Sequence, residues 1–563
     1  MMKTTKNTEA VESLKFVPLG GLEEIGRNMM FFEYKDEIVI IDAGLQFPEE
    51  STPGVDFIIP NVNYLEKNKH KIKGLIITHA HYDHMGAISY IITKIGNPTI
   101  YTAAIGKEII NKRHEEFTNL PKLRMEIVQD GSKAKMGKYF DVEFFNLDHT
   151  IPDTIGVILK TPVGNMVHFV DFKFDYDLDG KPKGLDSYAR IGNEGVHTLF
   201  IDSTNADQDG VSLSERIVEK NLEKLMEAAE GRVIVSTFAS LLTRLGEIIK
   251  IAARQKKKVF VSGYTMKTNL QIAQNLGYVK PEKGQILPLE ELNKYKDNKV
   301  VILCTGAQGQ ANAALMRIAN GEDRWIQARP GDTFILSSSI IPGNERPVQT
   351  LKDNLCRQGA KIYQSKDIDI HATGHAPREE LKEVYRLIKP KFLVPVHGYY
   401  FKRAANKENG VAAGIPEKNA FLMDNGQVAE ITKESFRVTD KTVDAFYVMV
   451  DGLGVGDVSD VVLRDRRILS DEGMMVIIAT LDKEKGHFLK KPDIISRGFI
   501  YLKDNQTMLE EIRHKLRHIV ERIPRHQPLD PDYVKSLVRD QIGTFLYNKT
   551  KRRPMILPVI IEV

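Results

Sequence analysis

The sequence predicts an α/β protein: an αββα sandwich, interrupted by an inserted parallel α/β domain and followed by a small α+β C-terminal domain. Three observations lead there. Several strand-like apolar runs precede the first helix-like one, as expected for one half of a two-sheet sandwich. Beyond Val211, strand-like and helix-like segments alternate, which is the texture of a parallel sheet with helices on both faces. Residues of metal-ligand type stand at the ends of apolar strands on both sides of that alternation, so one site is expected to close across it.

Composition sets the class. A chain of 563 residues has room for roughly three or four domains. With 42% hydrophobic and 27% charged residues it reads as an ordinary soluble globular protein. A net charge of only +4 excludes a global basic field, so any nucleic acid must use a local channel. Cys304 and Cys356 form no Cys-x-x-Cys pair, which fits a reducing cytoplasm rather than a disulfide framework. No apolar run approaches the roughly 20 residues needed to span a bilayer. Residues 1–15 are polar and mixed in charge, without an apolar signal core, and are expected to be a short disordered lead. The expectation is a cytoplasmic protein with no membrane partner.

The elements follow in order. A strand at 15–19 leads into Gly20-Gly21-Leu22-Glu23-Glu24-Ile25-Gly26-Arg27-Asn28. A glycine-rich turn can cradle a phosphate at the start of a helix. Here residues 29–34 read as another strand, so a hairpin turn is the better reading. A strand at 37–43 ends in Asp42-Ala43-Gly44, and 75–77 form a further buried strand. Thr78-His79-Ala80-His81-Tyr82-Asp83-His84 comes next, ahead of Met85-Gly86-Ala87-Ile88, where a helix is expected to begin. His79 and His81, two apart, can point the same way from extended backbone, while Asp83 and His84 turn toward a neighbouring point. Clustered imidazole and carboxylate suit Zn²⁺ or a similar divalent ion. His149 follows a strand at 142–145, and Asp171 one at 166–170.

Ser212-Leu213-Ser214-Glu215 reads as a capping box for a helix that runs to residue 230 and stops at Gly231. Strands are then expected at 232–236, 258–261, 300–304 and 332–337, the last of the module, with helices at 241–255, 269–276 and 311–319. These strands end in Thr237-Phe238-Ala239-Ser240, Ser262-Gly263, Thr305-Gly306-Ala307-Gln308-Gly309 and Ser337-Ser338-Ser339. The carboxyl ends of parallel strands face the ligand crevice, so these loops are expected to form a binding wall for phosphate. Ile370-His371-Ala372-Thr373-Gly374-His375-Ala376, a helix at 377–388 with Pro377 at its first position, and a strand at 391–396 bring the chain to His397. The division expected is 1–215 and 371–440 for the sandwich, 216–370 for the insertion, 441–460 for a linker and 461–563 for the C-terminal domain. The late basic run Lys549-Thr550-Lys551-Arg552-Arg553 is either a solvated face or a contact for RNA phosphate.

The spacing His-x-His-x-Asp-His at 79–84 resembles the metallo-β-lactamase superfamily signature. The large insertion between Asp171 and His397 narrows the resemblance to the β-CASP nucleic-acid-processing group, and within it to ribonuclease J. It covers essentially the whole chain. Its further markers are Pro18-Leu19-Gly20-Gly21-Leu22-Glu23-Glu24-Ile25-Gly26, His149-Thr150-Ile151-Pro152-Asp153, Asp171-Phe172-Lys173-Phe174-Asp175, Asp202-Ser203-Thr204-Asn205, Ile341-Pro342-Gly343-Asn344-Glu345 and Pro395-Val396-His397-Gly398.

The resemblance implies two Zn²⁺ ions, with Mn²⁺ or Mg²⁺ as alternatives in activity. His79, His81 and His149 would hold one; Asp83, His84 and His397 the other; Asp171 would bridge them. It puts Asp202 and His375 beside the metals for protonation or transition-state contact. It gives substrate binding to His371, Ala372, Thr373, Gly374, His375 and Ser240, with a 5′-monophosphate captured around Ser240 and Gly306. The implied activity is 5′-to-3′ exonuclease and endonuclease action on RNA, preferably 5′-monophosphorylated, in mRNA decay and rRNA processing. The implied assembly is a homodimer or higher homo-oligomer, helped by the C-terminal domain, with a paralogue as an alternative partner. The chain departs from the family pattern at Ala80, Tyr82, Leu241, Tyr264-Thr265, Thr373 and Tyr399; none is a ligand, and several border the 5′-end pocket. Two other classes compete: a non-catalytic RNA-binding scaffold paralogue and a small-molecule hydrolase. Retention of all seven ligands weighs against the first, and an insertion of this size against the second.

Overall fold

The structure, a computed structural model, describes residues 12–48, 52–177, 180–341, 343–452, 454–482, 487–500, 505–523 and 530–563. Most of the expected lead, residues 1–11, and Pro342 of the 341–345 marker lie outside the described residues. The lead is shorter than expected, because Leu14–Gly20 is already a strand. The chain divides into two units, residues 1–46 with 59–447, and residues 47–58 with 448–563.

The first unit contains two sheets face to face. One has eight strands, in the order Phe436–Thr442, Gln427–Ile431, Leu14–Gly20, Met29–Tyr34, Glu37–Ile41, Ile72–Ile76, Ile100–Thr102 and Met125–Ile127. Leu14–Gly20 pairs antiparallel with Met29–Tyr34, so the glycine-rich stretch is the hairpin connection read from the sequence. The other sheet has six strands: Phe392–Val396, Thr198–Asp202, Gly164–Phe169, Thr154–Thr161, Phe140–Leu147 and Lys133–Met136. Alternate residues make the layers. Phe16, Phe32, Val39 and Ile41 from the first sheet meet Phe140, Val142, Phe144, Val157 and Phe200 from the second in one buried core. Phe16 and Phe200 meet across it, tilted by 44° with ring centroids 4.4 Å apart. The opposite face of the second sheet, with Phe145, Phe169 and Leu199, packs on helices Leu185–Asn193 and Arg378–Ile388.

The insertion is a parallel six-stranded sheet in the order Ile286–Leu287, Lys258–Ser262, Val300–Cys304, Val233–Ser236, Thr333–Leu336 and Lys361–Gln364. Thr333–Leu336 is not the last strand: Lys361–Gln364 extends the edge, and its polar sequence carried no apolar run to find it by. The capping expectation also needs correction. Helix Glu215–Ala228 is capped by Ser214, whose side chain accepts from the Arg216 amide, while Ser212 donates its hydroxyl to Glu380 at 3.1 Å. Gly231 is no left-handed stop; it is small because a Cβ there would meet the Gly331 carbonyl oxygen at 2.3 Å. Pro377 is the N-cap of Arg378–Ile388 rather than its first residue.

The second unit is the α+β domain. Met474–Asp482 pairs antiparallel with His487–Phe488 and Asp493–Arg497 and parallel with Met555–Glu562. Helices Gln506–Glu521 and Pro531–Thr550 bury Ile512, Leu516, Val534 and Ile542 on one sheet face with Met475 and Ile477. Residues 47–58 belong here too, which the sequence did not announce. The Asp56 amide donates to the Val450 carbonyl at 2.9 Å, and Val55 and Ile58 pack with Leu463. The expected linker at 441–460 therefore contains structure: Val448–Asp451 is a strand and pairs with Gly454–Val455.

Candidate metal centre

Register explains why distant ligands meet. Thr198–Asp202 runs parallel to both Gly164–Phe169 and Phe392–Val396, with Ile201 opposite Phe169 and Asp202 opposite Val396. Their carboxyl ends are adjacent, so Asp171, Asp202 and His397 emerge side by side. His79 leaves the end of Ile72–Ile76 in the facing sheet, and His149 the end of Phe140–Leu147. The helix after the histidine cluster starts earlier than expected. It spans Tyr82–Met85 with His81 as N-cap, so Asp83 and His84 project from its first turn. Asp42 and His397 both adopt left-handed backbone, φ 62° and 51°, a conformation non-glycine residues rarely hold unless packing enforces it.

Two groups of side chains converge on Asp171. His79 Nε2 lies 3.1 Å from His81 Nδ1, and His149 Nε2 lies 3.2 Å from the same atom. Asp171 Oδ2 is 3.7 Å from His79 Nε2 and 3.9 Å from His149 Nε2. On its other side, Asp171 Oδ2 is 3.3 Å from His84 Nε2, and Asp83 Oδ2 is 3.5 Å from His84 Nε2 and 3.6 Å from His397 Nε2. The potential ligand atoms fall into His79/His81/His149/Asp171 and Asp83/His84/Asp171/His397, each set within 4.8 Å. Asp171 Oδ1 lies 2.9 Å from His397 Nδ1, and His397 Nε2 is enclosed without a hydrogen-bond partner, as fits an atom reserved for a cation. Nitrogen and carboxylate donors in sets of four suit a divalent ion of the zinc type. All seven metal-ligand expectations are thus brought together.

The opposite edges of the rings are fixed by hydrogen bonds. His84 donates Nδ1–H to Asp42 Oδ2 at 2.8 Å, and His149 donates Nδ1–H to the Gly374 carbonyl at 2.7 Å. Both therefore turn Nε2 to the centre. Asp42 in turn accepts from the Thr78 amide and hydroxyl at 2.9 Å each. Sequence reading passed over Asp42, although it has the same strand-end setting as the ligands. Burial keeps His79 and His149 neutral, well below the ordinary imidazole range, and pushes His81 down to about 4. Burial opposes charge on His84 and His397 as well, but Asp171 and its neighbouring carboxylates outweigh it and hold both well above the ordinary value. Those protons balance carboxylate charge that a cation would otherwise neutralise. Asp42→Ala is expected to weaken ion binding by about 10–100-fold, read by titration against a competing chelator; unchanged affinity would remove Asp42 from the support of His84.

His375 and Asp202 form the next layer. His375 donates Nδ1–H to Asp202 Oδ2 at 2.8 Å, which leaves Nε2 as its other reactive atom. Burial disfavours charge on both, yet Asp202 raises His375, and His375 with His397 holds Asp202 well below the carboxylate range. Asp171, Asp202, His375 and His397 also lie close enough to form a third ligand-type group. Within 371–375, Thr373 Oγ1 accepts from Asn205 Nδ2 at 2.8 Å and from the His375 amide at 3.0 Å, so only its proton is left to offer. Gly374 passes so near His149 that a Cβ would lie 2.5 Å from the ring. Ala372 is buried, and His371 is bound to Arg244 rather than to the metal ligands.

A cavity of about 250 Å³ lies at two of the four strand ends expected to form a binding wall, lined by residues including Thr237, Phe238, Ala239, Thr305 and Gly306; Ser262-Gly263 and Ser337–Ser339 are not among its lining residues. Ser240, expected to bind substrate, is not among its lining residues; it sits one position beyond Ala239, where the chain turns into helix Leu242–Arg254.

Family models match four stretches of the chain. The metallo-β-lactamase superfamily matches residues 22–172, and a Zn-dependent metallo-hydrolase RNA specificity domain matches 367–416. The ribonuclease J β-CASP domain matches 230–355, and the ribonuclease J C-terminal domain matches 461–563. Fold and site thus define a metallo-β-lactamase-superfamily protein with a β-CASP insertion. Ribonuclease J 1 of Streptococcus pyogenes (serotype M3) is 37% identical over 543 residues, 96% of this chain and 96% of the relative. Ribonuclease J2 of Bacillus subtilis (strain 168) is 35% identical over 563 residues, 99% of this chain and 100% of the relative. The chain belongs to the ribonuclease J family. A crystal structure of a protein of unknown function from Enterococcus faecalis V583 shares the fold, with a TM-score of 0.53 at 14% identity, covering 76% of this chain and 100% of that one.

Proposed function

We propose that this chain is a metal-dependent ribonuclease that hydrolyses RNA phosphodiester bonds as a 5′-to-3′ exonuclease and an endonuclease. The observation that carries this is the pair of four-residue ligand groups sharing Asp171, set beside the His375–Asp202 pair. His79, His81, His149 and Asp171 would hold one ion, and Asp83, His84, His397 and Asp171 the other, Zn²⁺ first, with Mn²⁺ or Mg²⁺ as alternatives in activity. Such ions supply Lewis acidity for the attacking water and for the charge on the phosphate. The protein's own residues do the rest. His375, its Nδ1–H held by Asp202, gives the Nε2 proton to the leaving ribose oxygen. The Thr373 hydroxyl and the backbone amides of 371–375 hold the phosphate of the substrate. The cavity at Thr237, Phe238 and Gly306, with Ser240 at its border, takes the RNA 5′ end, preferably 5′-monophosphorylated.

The same reading sets the insertion at 216–370 and the C-terminal domain at 461–563, with residues 47–58 and 448–460 joined to that second unit. It places the protein in the cytoplasm, in mRNA decay and rRNA processing, as a homodimer or higher homo-oligomer or paired with a paralogue. The scaffold alternative loses support because all seven ligands are present and converge. The test is incubation of wild type and Asp83→Ala with 5′-monophosphorylated RNA and Zn²⁺, Mn²⁺ or Mg²⁺. Intact RNA after incubation with metal-loaded wild type would end the ribonuclease reading, and undiminished cleavage by the variant would end this assignment of the site.

A further inference from the structure

Glu380 is a buried carboxylate that the chemistry above leaves unused. It stands in the first turn of helix Arg378–Ile388 and is 1% exposed. Its two oxygens meet four donors. Oε2 accepts from the Phe174 amide at 2.8 Å and from the Ser212 hydroxyl at 3.1 Å. Oε1 accepts from the Tyr176 hydroxyl and from the Ser212 amide, at 2.7 Å each. Each oxygen therefore joins one group of the loop after Asp171 to one group of Ser212, where the chain departs for the insertion.

The elements so joined carry different parts of the centre. Segments 205–212 and 373–380 lie along one another. Asn205 Nδ2 donates to Thr373 Oγ1 at 2.8 Å and to the His375 carbonyl at 3.1 Å. The Arg378 and Glu379 amides donate to the Gln208 and Gly210 carbonyls at 2.9 and 3.2 Å. His375 thus belongs to a stem formed where the insertion departs and returns. Asp171 belongs to a separate loop, whose Phe172 and Phe174 share a core with Leu381. Glu380 ties loop to stem.

The donors explain why a carboxylate stands there. The Phe174 and Ser212 amides can only donate, and they address different oxygens. A glutamine of the same length would set its own N–H₂ against one of the two amides whichever way it is flipped.

We propose that Glu380 is a positioning residue that sets the spacing between the shared ligand Asp171 and the proton donor His375. It acts through the Phe174 amide and the Tyr176 hydroxyl and touches no substrate. The proposal rests on the reading of His375 as the proton donor in RNA cleavage.

The test uses the full-length, metal-loaded protein. Glu380→Gln is expected to lower kcat for RNA about 10- to 100-fold, with KM within about twofold of wild type and both ions retained. The loss falls on proton transfer, so RNA with sulfur as the bridging leaving atom should recover most of it. Glu380→Gln combined with His375→Ala should be no slower than His375→Ala alone. A merely structural effect would lower turnover of both RNAs alike and multiply with His375→Ala. Either result would overturn the proposal, as would a kcat within about twofold of wild type. If Glu380→Gln does not fold, Tyr176→Phe removes one loop hydrogen bond and leaves the carboxylate. Its kcat is then expected to fall about three- to tenfold with the same recovery, and an unchanged kcat would overturn the proposal. Wild type that cleaves no RNA, or an unimpaired His375→Ala, ends the underlying reading and the proposal together. An impaired His375→Ala beside a fully active Glu380→Gln ends the proposal alone.

Discussion

Asp171→Ala is expected to empty both ion positions and to lower RNA cleavage by at least about 1,000-fold. Asp171 is the one carboxylate common to both ligand groups, and it is 1% exposed. Its Oδ2 stands 3.3 Å from His84 and 3.7 Å from His79, and its Oδ1 2.9 Å from His397 Nδ1. Deleting it leaves three neutral imidazoles on one side. On the other it leaves His84 and His397 without the carboxylate that contributes most to their charged forms. Metal analysis of the purified variant together with a cleavage time course checks this. Near-stoichiometric retention of two ions, or activity within about tenfold of wild type, would show that Asp171 does not join the two groups.

His375→Ala is expected to lower kcat by about 100- to 10,000-fold while leaving ion content unchanged. The distinction matters because His375 and Asp202 lie near enough to Asp171 and His397 to act as ligands themselves. Geometry favours the proton-transfer role: His375 spends Nδ1 on Asp202, and Asp202 Oδ1 is already engaged by the Thr204 amide at 2.9 Å and hydroxyl at 2.7 Å. An RNA with sulfur as the bridging leaving atom needs little protonation, so it should recover most of the activity lost in His375→Ala. Loss of metal without such recovery would move His375 into the ligand set.

Much of this centre could be read from the chain because its chemistry repeats one local pattern. An apolar strand ends, and a histidine or aspartate follows, at His79, His149, Asp171 and His397. Buried parallel strands read as continuous apolar runs, which is why 300–304 matches Val300–Cys304 residue for residue. The features that escaped lack such a local signal. Lys361–Gln364 is a half-polar edge strand. Residues 47–58 join the second unit through contacts almost four hundred positions away, as in the pairing of Asp56 with Gly452. Arg244 looks like an ordinary helical arginine until it meets His371, 127 positions on. Glu215 resembled half of a capping box because Ser-x-x-Glu fits two uses, and in the folded chain two buried cations claim its carboxylate. Ser240 followed from resemblance alone, and backbone turning at the helix start carries it past the cavity.

The two strands that bracket the insertion are direct neighbours, with Asp202 opposite Val396. His397 and Asp202 come within 3.2 Å although 195 positions separate them. Closing so long a span as flexible chain is entropically costly, and the cost rises only slowly with length, by about 0.6 kcal/mol per doubling. An insertion that has already folded replaces that span with a short stem whose ends are held near each other. Assembly is then expected to run from the inside outward: the parallel sheet first, the closing strand Phe392–Val396 next, and His397 last of the seven ligands to arrive. The centre's final ligand thereby reports that everything enclosed between the two strands has already folded.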